Sequence, residues 1–253
     1  MARPLNLAVL TLCCVAAAAP APAAERTAAD TALVSLGSGG PRAFVAWPSG
    51  DKPAPAVIVV HEWWGLNTQI RRTARQIARQ GYVAIVPDLY HGQVAGDAEA
   101  AHVLSRGLED DRALADLDAA LAWLAAEPRT RESRVGIVGF CMGGRLAQLM
   151  GSRSARIAAV VMFYGRPVTS AAEVAKLRGP LMGHFGAEDR GISSDRVAEL
   201  GAALRTAGKD AQIFTYAGAG HAFMNDERDS FHPDASRQAW ARTLSFLQQH
   251  LKR

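Results

Sequence analysis

The chain contains 253 residues, of which 49 % are hydrophobic and 21 % are charged, and its formal net charge is +4. This length suits one α/β domain of ordinary size, and the balanced composition is typical of a globular protein. The positive charge comes mostly from arginines scattered along the chain, which argues against nucleic acid as a binding partner.

The first residues have the pattern of a secretory signal peptide. Arg3 supplies a short positive start, residues 5–19 form an apolar stretch, and Ala21-Pro22-Ala23 offer a cleavage site of the A-x-A type. No later apolar run reaches the roughly 18 residues of a membrane span. We therefore expect residues 1–23 to be removed and residues 24–253 to form a single domain that is periplasmic or secreted.

The predicted export gives the cysteine count a meaning. Cys13 and Cys14 belong to the signal peptide, and neither follows the small residue that normally precedes a lipidated cysteine. We therefore expect no lipid anchor and no stable membrane association after cleavage. Cys141 is then the one cysteine of the exported chain, and a thiol without a disulfide partner is a liability in an oxidising compartment. Its retention there indicates a function.

After the signal peptide, predicted strands alternate with predicted helices. Short strands at 31–36 and 42–47 suit a hairpin at a sheet edge, and the apolar run at 56–60 is typical of a strand buried on both faces. Further strands are predicted at 82–86, 135–138, 157–164, 180–185 and 211–216, and helices at 68–80, 112–126, 194–207 and 235–251. This alternation predicts an α/β fold with a mostly parallel, doubly wound sheet and helices on both faces.

The segment 134–150 carries the pattern Gly-x-Cys-x-Gly between a strand and a helix, which is the nucleophile elbow of α/β-hydrolases with cysteine in place of serine. A sharp turn there strains the central residue, and side chains two positions away on either side would clash. Cys141 would lie at a helix N-terminus, which favours a thiolate and a developing oxyanion. The alternative is a glycine-rich turn that holds a buried, inert cysteine.

Two more polar residues follow predicted strands. Asp189 comes after the strand at 180–185, and His221 comes after the strand at 211–216. In an open parallel sheet, functional residues gather beyond the carboxyl ends of the strands. The order Cys141, Asp189, His221 is the nucleophile–acid–base order of α/β-hydrolases, in which the histidine moves the proton and the acid fixes its tautomer. Glu188 is the rival for the acid, and each residue taken alone would be an ordinary loop residue.

Together these motifs resemble the dienelactone hydrolase (carboxymethylenebutenolidase) family of the α/β-hydrolase superfamily. The resemblance covers roughly residues 57–251 and is carried by HEWWGLN at 61–67, VPDLY at 86–90, GFCMGG at 139–144, FYG at 163–165, GAED at 186–189 and GAGHAF at 218–223. It implies a hydrolase whose triad, Cys141, Asp189 and His221, cleaves a small ester or lactone through an acyl-thioester intermediate.

The resemblance also implies roles around the triad. Glu62 matches a family glutamate that contacts the thiol in the resting state and helps to form the thiolate once substrate displaces it. The backbone N–H groups of Met142 and Trp63 match the oxyanion hole. The side chains expected to bind substrate are Trp64, Tyr90, Tyr164 and Phe223.

The sequence departs from the family pattern at the substrate end. Family members that hydrolyse dienelactone bind the substrate carboxylate with two arginines, whereas the matching stretches here read His91-Gly92-Gln93 and Phe223-Met224-Asn225. Arg166, Arg190 or Arg228 could replace them, and spacing does not choose among the three.

Two other functions compete with the leading one. A broader carboxylesterase or thioesterase would explain the missing arginine pair, and a non-catalytic periplasmic binding protein could keep the fold. His184, His221 and His232 fall in separate contexts, so neither a metal nor another cofactor is predicted. The expected partner is a small-molecule ester or lactone, and the chain is expected to be a monomer or a small homo-oligomer.

Overall fold

The computed structural model describes residues 30–252, except for the side chains of residues 132 and 133. The predicted signal peptide at 1–23 lies outside the described residues. Within them, no helix is both long enough and apolar enough to cross a membrane.

Eight strands and seven helices make up the described part of the chain. The strands are β1 (Asp30–Ser35), β2 (Arg42–Trp47), β3 (Ala54–Val60), β4 (Val83–Pro87), β5 (Thr130–Phe140), β6 (Ile157–Phe163), β7 (Leu181–Gly186) and β8 (Ala211–Tyr216). The helices are α1 (Thr68–Arg79), α2 (Ala98–Arg106), α3 (Asp110–Ala126), α4 (Met142–Arg153), α5 (Ala171–Ala175), α6 (Ser194–Thr206) and α7 (Pro233–Leu251).

The strands form one sheet in the order β1-β2-β4-β3-β5-β6-β7-β8. The β1–β2 and β2–β4 pairs are antiparallel, and every pair from β4 to β8 is parallel. The predicted α/β fold with a mostly parallel, doubly wound sheet is therefore confirmed. Parallel pairing brings the carboxyl ends of β3 to β8 to one edge of the sheet, where the loops that carry the candidate site begin.

The sheet is buried on both faces because alternate residues of its central strands point in opposite directions. Ile58 and Val60 of β3 pack into one apolar cluster with residues of α3, α4 and α6. Val57 and Val59 pack into a second cluster with residues of α1 and α7. All seven residues of β3 are buried, which explains why its sequence is a continuous apolar run.

The structure differs from the predicted elements mainly at their ends. β5 begins at Thr130, before the apolar run at 135–138, because Thr130 already pairs with Ala54 of β3. The first residues of β5 are polar, so they give no strand signal in the sequence. α7 begins at Pro233, two residues before the predicted start, since proline suits the first helical position and His232 caps the helix. The short helix α5 has too few apolar positions to give a periodic signal.

Candidate active site

Cys141 lies at the sharp turn between β5 and α4. Its backbone angles are φ 53° and ψ −118°, a conformation that residues other than glycine rarely adopt. Its N–H donates to the carbonyl of Phe163 at 3.0 Å, and its own carbonyl accepts from the N–H of Gly144 at 3.0 Å. These bonds tie the turn to β6 and α4 and place the thiol at the helix N-terminus.

The two glycines of the motif are required by close backbone contacts. A Cβ at Gly139 would lie 1.9 Å from the carbonyl oxygen of Gly143, and a Cβ at Gly143 would lie 2.4 Å from that of Val60. Both distances are far below van der Waals contact, and backbone atoms cannot move aside. The steric clash predicted from the sequence therefore explains why positions 139 and 143 are both glycine.

Cys141, His221 and Asp189 form a continuous chain of contacts. The Cys141 Sγ is 3.2 Å from the Nε2 of His221, and the His221 Nδ1 is 2.7 Å from the Oδ2 of Asp189. Asp189 follows β7 and His221 follows β8, so adjacent strands deliver the two side chains to the same edge. Glu188, the rival acid, is exposed and makes no side-chain hydrogen bond within residues 30–252.

The hydrogen bonds among these three residues shift the pKa values of His221 and Asp189. Burial alone would lower the pKa of His221, but its bonds to Asp189 and to Cys141 outweigh burial and raise that pKa to about 10. Burial alone would raise the pKa of Asp189, but the bond from His221 and the N–H groups of Gly191 and Ile192 lower it. The arrangement therefore favours a protonated imidazole between an ionised carboxylate and the sulfur.

Glu62 and Cys141 line one pocket, but the Glu62 carboxylate is hydrogen-bonded to residues outside the triad. Its Oε1 accepts from the hydroxyl of Tyr164 at 3.0 Å, and its Oε2 accepts from the amide of Asn225 at 2.7 Å. Burial raises the pKa of Glu62, and these two bonds oppose the rise without cancelling it. Within residues 30–252 Glu62 makes no hydrogen bond to the Cys141 thiol. The resting contact that the resemblance implies is therefore not present as a hydrogen bond in this structure.

The loop that carries Glu62 is fixed by a buried histidine. The Nδ1 of His61 is 2.6 Å from the carbonyl of Glu62, and the N–H of Leu89 donates to its Nε2 at 3.3 Å. Burial lowers the pKa of His61, so the ring is neutral and donates from Nδ1. Asn67 ends the loop and caps α1 by accepting from the N–H of Ile70 at 3.1 Å.

Two backbone N–H groups, those of Met142 and Trp63, are predicted to form the oxyanion hole. Met142 is the first residue of α4, and Trp63 belongs to the loop after β3. Neither N–H donates to another residue within the described chain. The Met142 N–H belongs to the first turn of α4, where the helix dipole favours a negative charge. The oxyanion hole itself stays a prediction.

Cys141, His221 and Glu62 share a pocket of about 440 Å³. Its lining consists of Glu62, Trp63, Trp64, Cys141, His221, Ala222, Arg228, Asp229 and Ser230. The surface that they present is mostly apolar and aromatic, as expected for a small organic ligand. Trp64 lines this pocket, and its predicted contact with substrate stays a prediction.

Of the three arginines considered from the sequence, Arg228 is the one that lines the pocket. Its guanidinium carbon lies 3.5 Å from the ring centroid of Trp64. Its side chain forms no ion pair within residues 30–252. Arg166 and Arg190 are exposed and lie outside the lining.

Three residues expected to bind substrate do not line the pocket. Phe223 is completely buried in the core, and Tyr164 is buried with its hydroxyl on Glu62. Tyr90 is buried beneath the elbow, with its hydroxyl 3.6 Å from the Sδ of Met142. The expectation of direct substrate contact is corrected for these residues, since aromatic residues beside a motif also serve as its packing support.

The sequence motifs do not predict the roles of His61 and Asn225. His61 directly precedes Glu62 at the end of a buried strand, and that position was a usable signal. Asn225 was noted only as the place where an arginine is missing. No group of three or more His, Cys, Asp and Glu side chains that could hold a metal ion occurs in the described part of the chain.

The chain is similar to known proteins over most of its length. A model of the dienelactone hydrolase family matches residues 42–251. A candidate carboxymethylenebutenolidase of Yersinia pestis is 34 % identical in an alignment 241 residues long, which covers 87 % of this chain and 88 % of that protein. A candidate 2-oxo-3-(5-oxofuran-2-ylidene)propanoate lactonase of Bradyrhizobium sp. is 34 % identical in an alignment 233 residues long, which covers 86 % of this chain and 94 % of that protein.

The fold is similar to solved structures as well. The crystal structure of a candidate dienelactone hydrolase from Klebsiella pneumoniae has a TM-score of 0.82 and 33 % sequence identity. The similarity covers 88 % of this chain and 100 % of that one.

Proposed function

The chain belongs to the dienelactone hydrolase family, and we propose that it hydrolyses a small ester or lactone with Cys141 as the nucleophile. The observation that carries this proposal is the contact chain from the Cys141 Sγ through His221 to Asp189, at 3.2 and 2.7 Å. Such a chain is the recognised arrangement of a nucleophile, its base and the group that orients the base.

In the first step the Cys141 sulfur attacks the carbonyl carbon of the substrate. The carbonyl oxygen becomes an oxyanion that accepts from the N–H groups of Met142 and Trp63. The intermediate collapses by breaking the ester C–O bond, and the leaving oxygen takes the proton held on Nε2 of His221. The product of this step is an acyl-thioester on Cys141.

In the second step water releases the acid. His221 accepts a proton from the water, whose oxygen attacks the thioester carbon in the same oxyanion hole. The C–S bond breaks, the carboxylic acid product leaves, and the sulfur and imidazolium return to their starting pair. Asp189 remains ionised throughout, because its oxygens keep their hydrogen bonds to His221 and to the N–H groups of Gly191 and Ile192.

The pocket supports a small, flat substrate that bears a negative charge. Trp63 and Trp64 supply aromatic walls to the pocket of about 440 Å³, and Arg228 supplies a cation. A guanidinium binds a carboxylate through paired hydrogen bonds. The Bradyrhizobium relative is named for a lactone that carries such a carboxylate, which agrees with this choice.

The second candidate is a broader carboxylesterase or thioesterase. It is favoured by Asn225, because the residue at this position is a neutral amide that is occupied with Glu62. A substrate carboxylate would then be bound by the exposed Arg228 alone. A neutral ester, which needs no cation, would bind in such a pocket almost as well as a charged one.

We also propose that the enzyme acts in the periplasm or outside the cell as a single domain formed by residues 24–253. The support is the signal-peptide pattern within residues 1–23, which consists of the positive start at Arg3, the apolar stretch and the A-x-A site. N-terminal sequencing of the protein recovered from a periplasmic extract tests this, with Ala24 expected as the first residue. A cytoplasmic protein that retains Met1 would contradict it.

The function is tested by hydrolysis of dienelactone and of a neutral aryl ester by the mature wild type and by C141A. Cleavage of dienelactone by the wild type but not by C141A is the expected result. Cleavage of the neutral ester alone, again dependent on Cys141, would favour the second candidate. Turnover that C141A retains, or no turnover of either compound, would overturn the proposal.

A further inference from the structure

The loop of residues 225–232 (the pocket loop) forms one wall of the candidate active-site pocket. Its first residue, Asn225, is buried, whereas residues 226–231 are all exposed, so core packing contributes little to their position. Arg228 lies in this exposed part, with its guanidinium carbon 3.5 Å from the ring centroid of Trp64. The position of this cation therefore depends on contacts at the protein surface.

Arg72 of α1 joins the pocket loop to the body of the protein. Its Nη2 lies 2.6 Å from the Oδ1 of Asp226, and its Nη1 lies 2.9 Å from the Oε1 of Glu227. Within the described chain, residues 226–231 make no other side-chain hydrogen bond. Exposed ion pairs contribute measurably when one guanidinium binds two carboxylates through separate N–H groups, because this arrangement fixes direction as well as distance. Arg72 is therefore the polar tether of this wall.

A hydrogen-bonded turn connects the tether to the pocket cation. The N–H of Arg228 donates to the carbonyl of Asn225 at 3.1 Å, and the N–H of Glu227 donates to the amide oxygen of Asn225 at 3.1 Å. The two carboxylates that bind Arg72 therefore stand directly before Arg228 within one turn. They contact α1, whereas the next side chain contacts the aromatic wall of the pocket. A displacement of the tethered residues would consequently move Arg228 as well.

The pocket loop also carries charges that compete for its own cation. Three acidic residues are close neighbours of Arg228 in the sequence, namely Asp226, Glu227 and Asp229. Two of these carboxylates are occupied with Arg72, and Arg228 forms no ion pair within the described residues. Without Arg72, both carboxylates would be free to attract the Arg228 guanidinium and to repel an anion that enters the pocket. Arg72 therefore leaves Arg228 available to a ligand.

We propose that Arg72 is a positioning residue that determines how strongly the pocket prefers negatively charged substrates. By binding the two carboxylates that precede Arg228, it keeps that cation stacked on Trp64 and free of its acidic neighbours. This inference rests on the proposed function, in which Arg228 binds the carboxylate of a substrate. Arg72 itself lies outside the pocket lining and touches no substrate. A neutral ligand, which makes no charged bond to Arg228, does not depend on Arg72.

The test is the equilibrium binding of benzoate and of benzamide, measured by titration calorimetry with no ester present. The two ligands share a flat ring of the same size and differ in charge. We expect R72Q to raise the Kd of benzoate by about 3- to 10-fold, as for the loss of two exposed ion pairs, and that of benzamide by less than about 2-fold. R196Q is the matched control, because it breaks a 2.7 Å ion pair of similar exposure between Arg196 and Glu199 of α6. It should change neither Kd.

A double-variant cycle tests whether Arg72 acts through Arg228. R228Q should weaken benzoate binding at least as much as R72Q does, and the R72Q/R228Q double variant should match R228Q within about 2-fold. With an ester that bears a carboxylate, R72Q should raise KM and leave kcat within about 2-fold of the wild type, because the tether affects binding and not the chemical step. Near-ultraviolet circular dichroism checks that each variant is folded.

Several results would overturn the inference. Equal losses of benzoate and benzamide binding in R72Q would show a general disruption of the pocket, and additive losses in R72Q/R228Q would show that Arg72 acts elsewhere. Unchanged benzoate binding in R72Q, or a wild type that binds benzoate no more tightly than benzamide, would equally contradict it. Ligand binding needs no turnover, so such a failure is distinct from ester hydrolysis that survives in C141A, which would overturn the function itself.

Discussion

The guanidinium carbon of Arg228 lies 3.5 Å from the ring centroid of Trp64, on the wall of the pocket that contains Cys141. A planar cation stacked on an indole is attracted by the ring face and keeps its N–H groups free at the edge. Arg228 is therefore held beside the nucleophile with its donors available to a substrate anion.

The first prediction concerns substrate charge. We expect R228Q to lower kcat/KM for an ester that bears a carboxylate by about 10- to 100-fold, the effect of losing a hydrogen bond to a charged group. A neutral ester of the same size should change by less than about 2-fold, because it makes no such bond. R190Q, which alters an exposed arginine outside the pocket, is the matched control. Equal losses on both esters in R228Q would contradict a role in charge selection.

The second prediction concerns pH. Because hydrogen bonds to Asp189 and Cys141 outweigh burial and raise the pKa of His221 to about 10, the imidazolium persists to that pH and is lost above it. We expect kcat/KM to fall as the pH rises through about 10, since the leaving group then lacks its proton donor.

The D189N variant provides the control for the pH prediction. It removes the carboxylate that accepts from Nδ1 of His221 at 2.7 Å, so the fall in kcat/KM should begin at a lower pH. A pH profile that is the same in D189N and in the wild type would contradict this account of the raised pKa.

The third prediction concerns the elbow. A Cβ at Gly143 would lie 2.4 Å from the carbonyl oxygen of Val60, so G143A should lower the free energy of unfolding by about 3 kcal/mol or prevent folding. Gly96 has no atom within 4 Å of the same position. G96A is therefore the control, with an expected change below about 1 kcal/mol. Urea unfolding measures both, and equal stability of the two variants would contradict the steric argument.

The fourth prediction concerns acid stability. Burial, together with the nearby charge of Arg242, lowers the pKa of His184 from 6.5 to about 3. The unfolded chain protonates this histidine below pH 6.5 while the folded chain does not, so stability falls as the pH drops from 6.5 towards 3. The slope should be about 1.4 kcal/mol per pH unit from this group.

The stability slope is measured by urea unfolding at several pH values in the wild type and in H184N. The His184 side chain is hydrogen-bonded to Tyr216 and Thr243, so H184N should be less stable at pH 7. Its stability should nevertheless fall less steeply below pH 6.5. Parallel curves for the two proteins would show that His184 does not carry this effect.

The sequence predicted the layout of the sheet because its strands are short apolar runs bounded by polar loops. β3 is the clearest case, since burial on both faces makes every residue apolar. The positions of Cys141, Asp189 and His221 followed from the rule that functional residues lie after parallel strands. The structure brings these three side chains into contact.

The sequence could not predict how the surrounding side chains are used. Glu62 and Asn225 are 163 residues apart, and their contact depends on the path of the loop after β8. The same loop decides that Arg228 reaches Trp64 while Phe223 is turned into the core. Aromatic residues beside a motif give the same sequence signal whether they line a pocket or support it.

The most direct test of the account is the mass of the intact protein, quenched in acid during turnover of an aryl ester. We predict a mass increase equal to the acyl group in the wild type, located by peptide mapping on Cys141 and absent from C141A. Hydrolysis by C141A should fall at least about 1,000-fold, as expected for loss of a nucleophile. An acyl group on a different residue, or hydrolysis that C141A retains, would contradict the central claim.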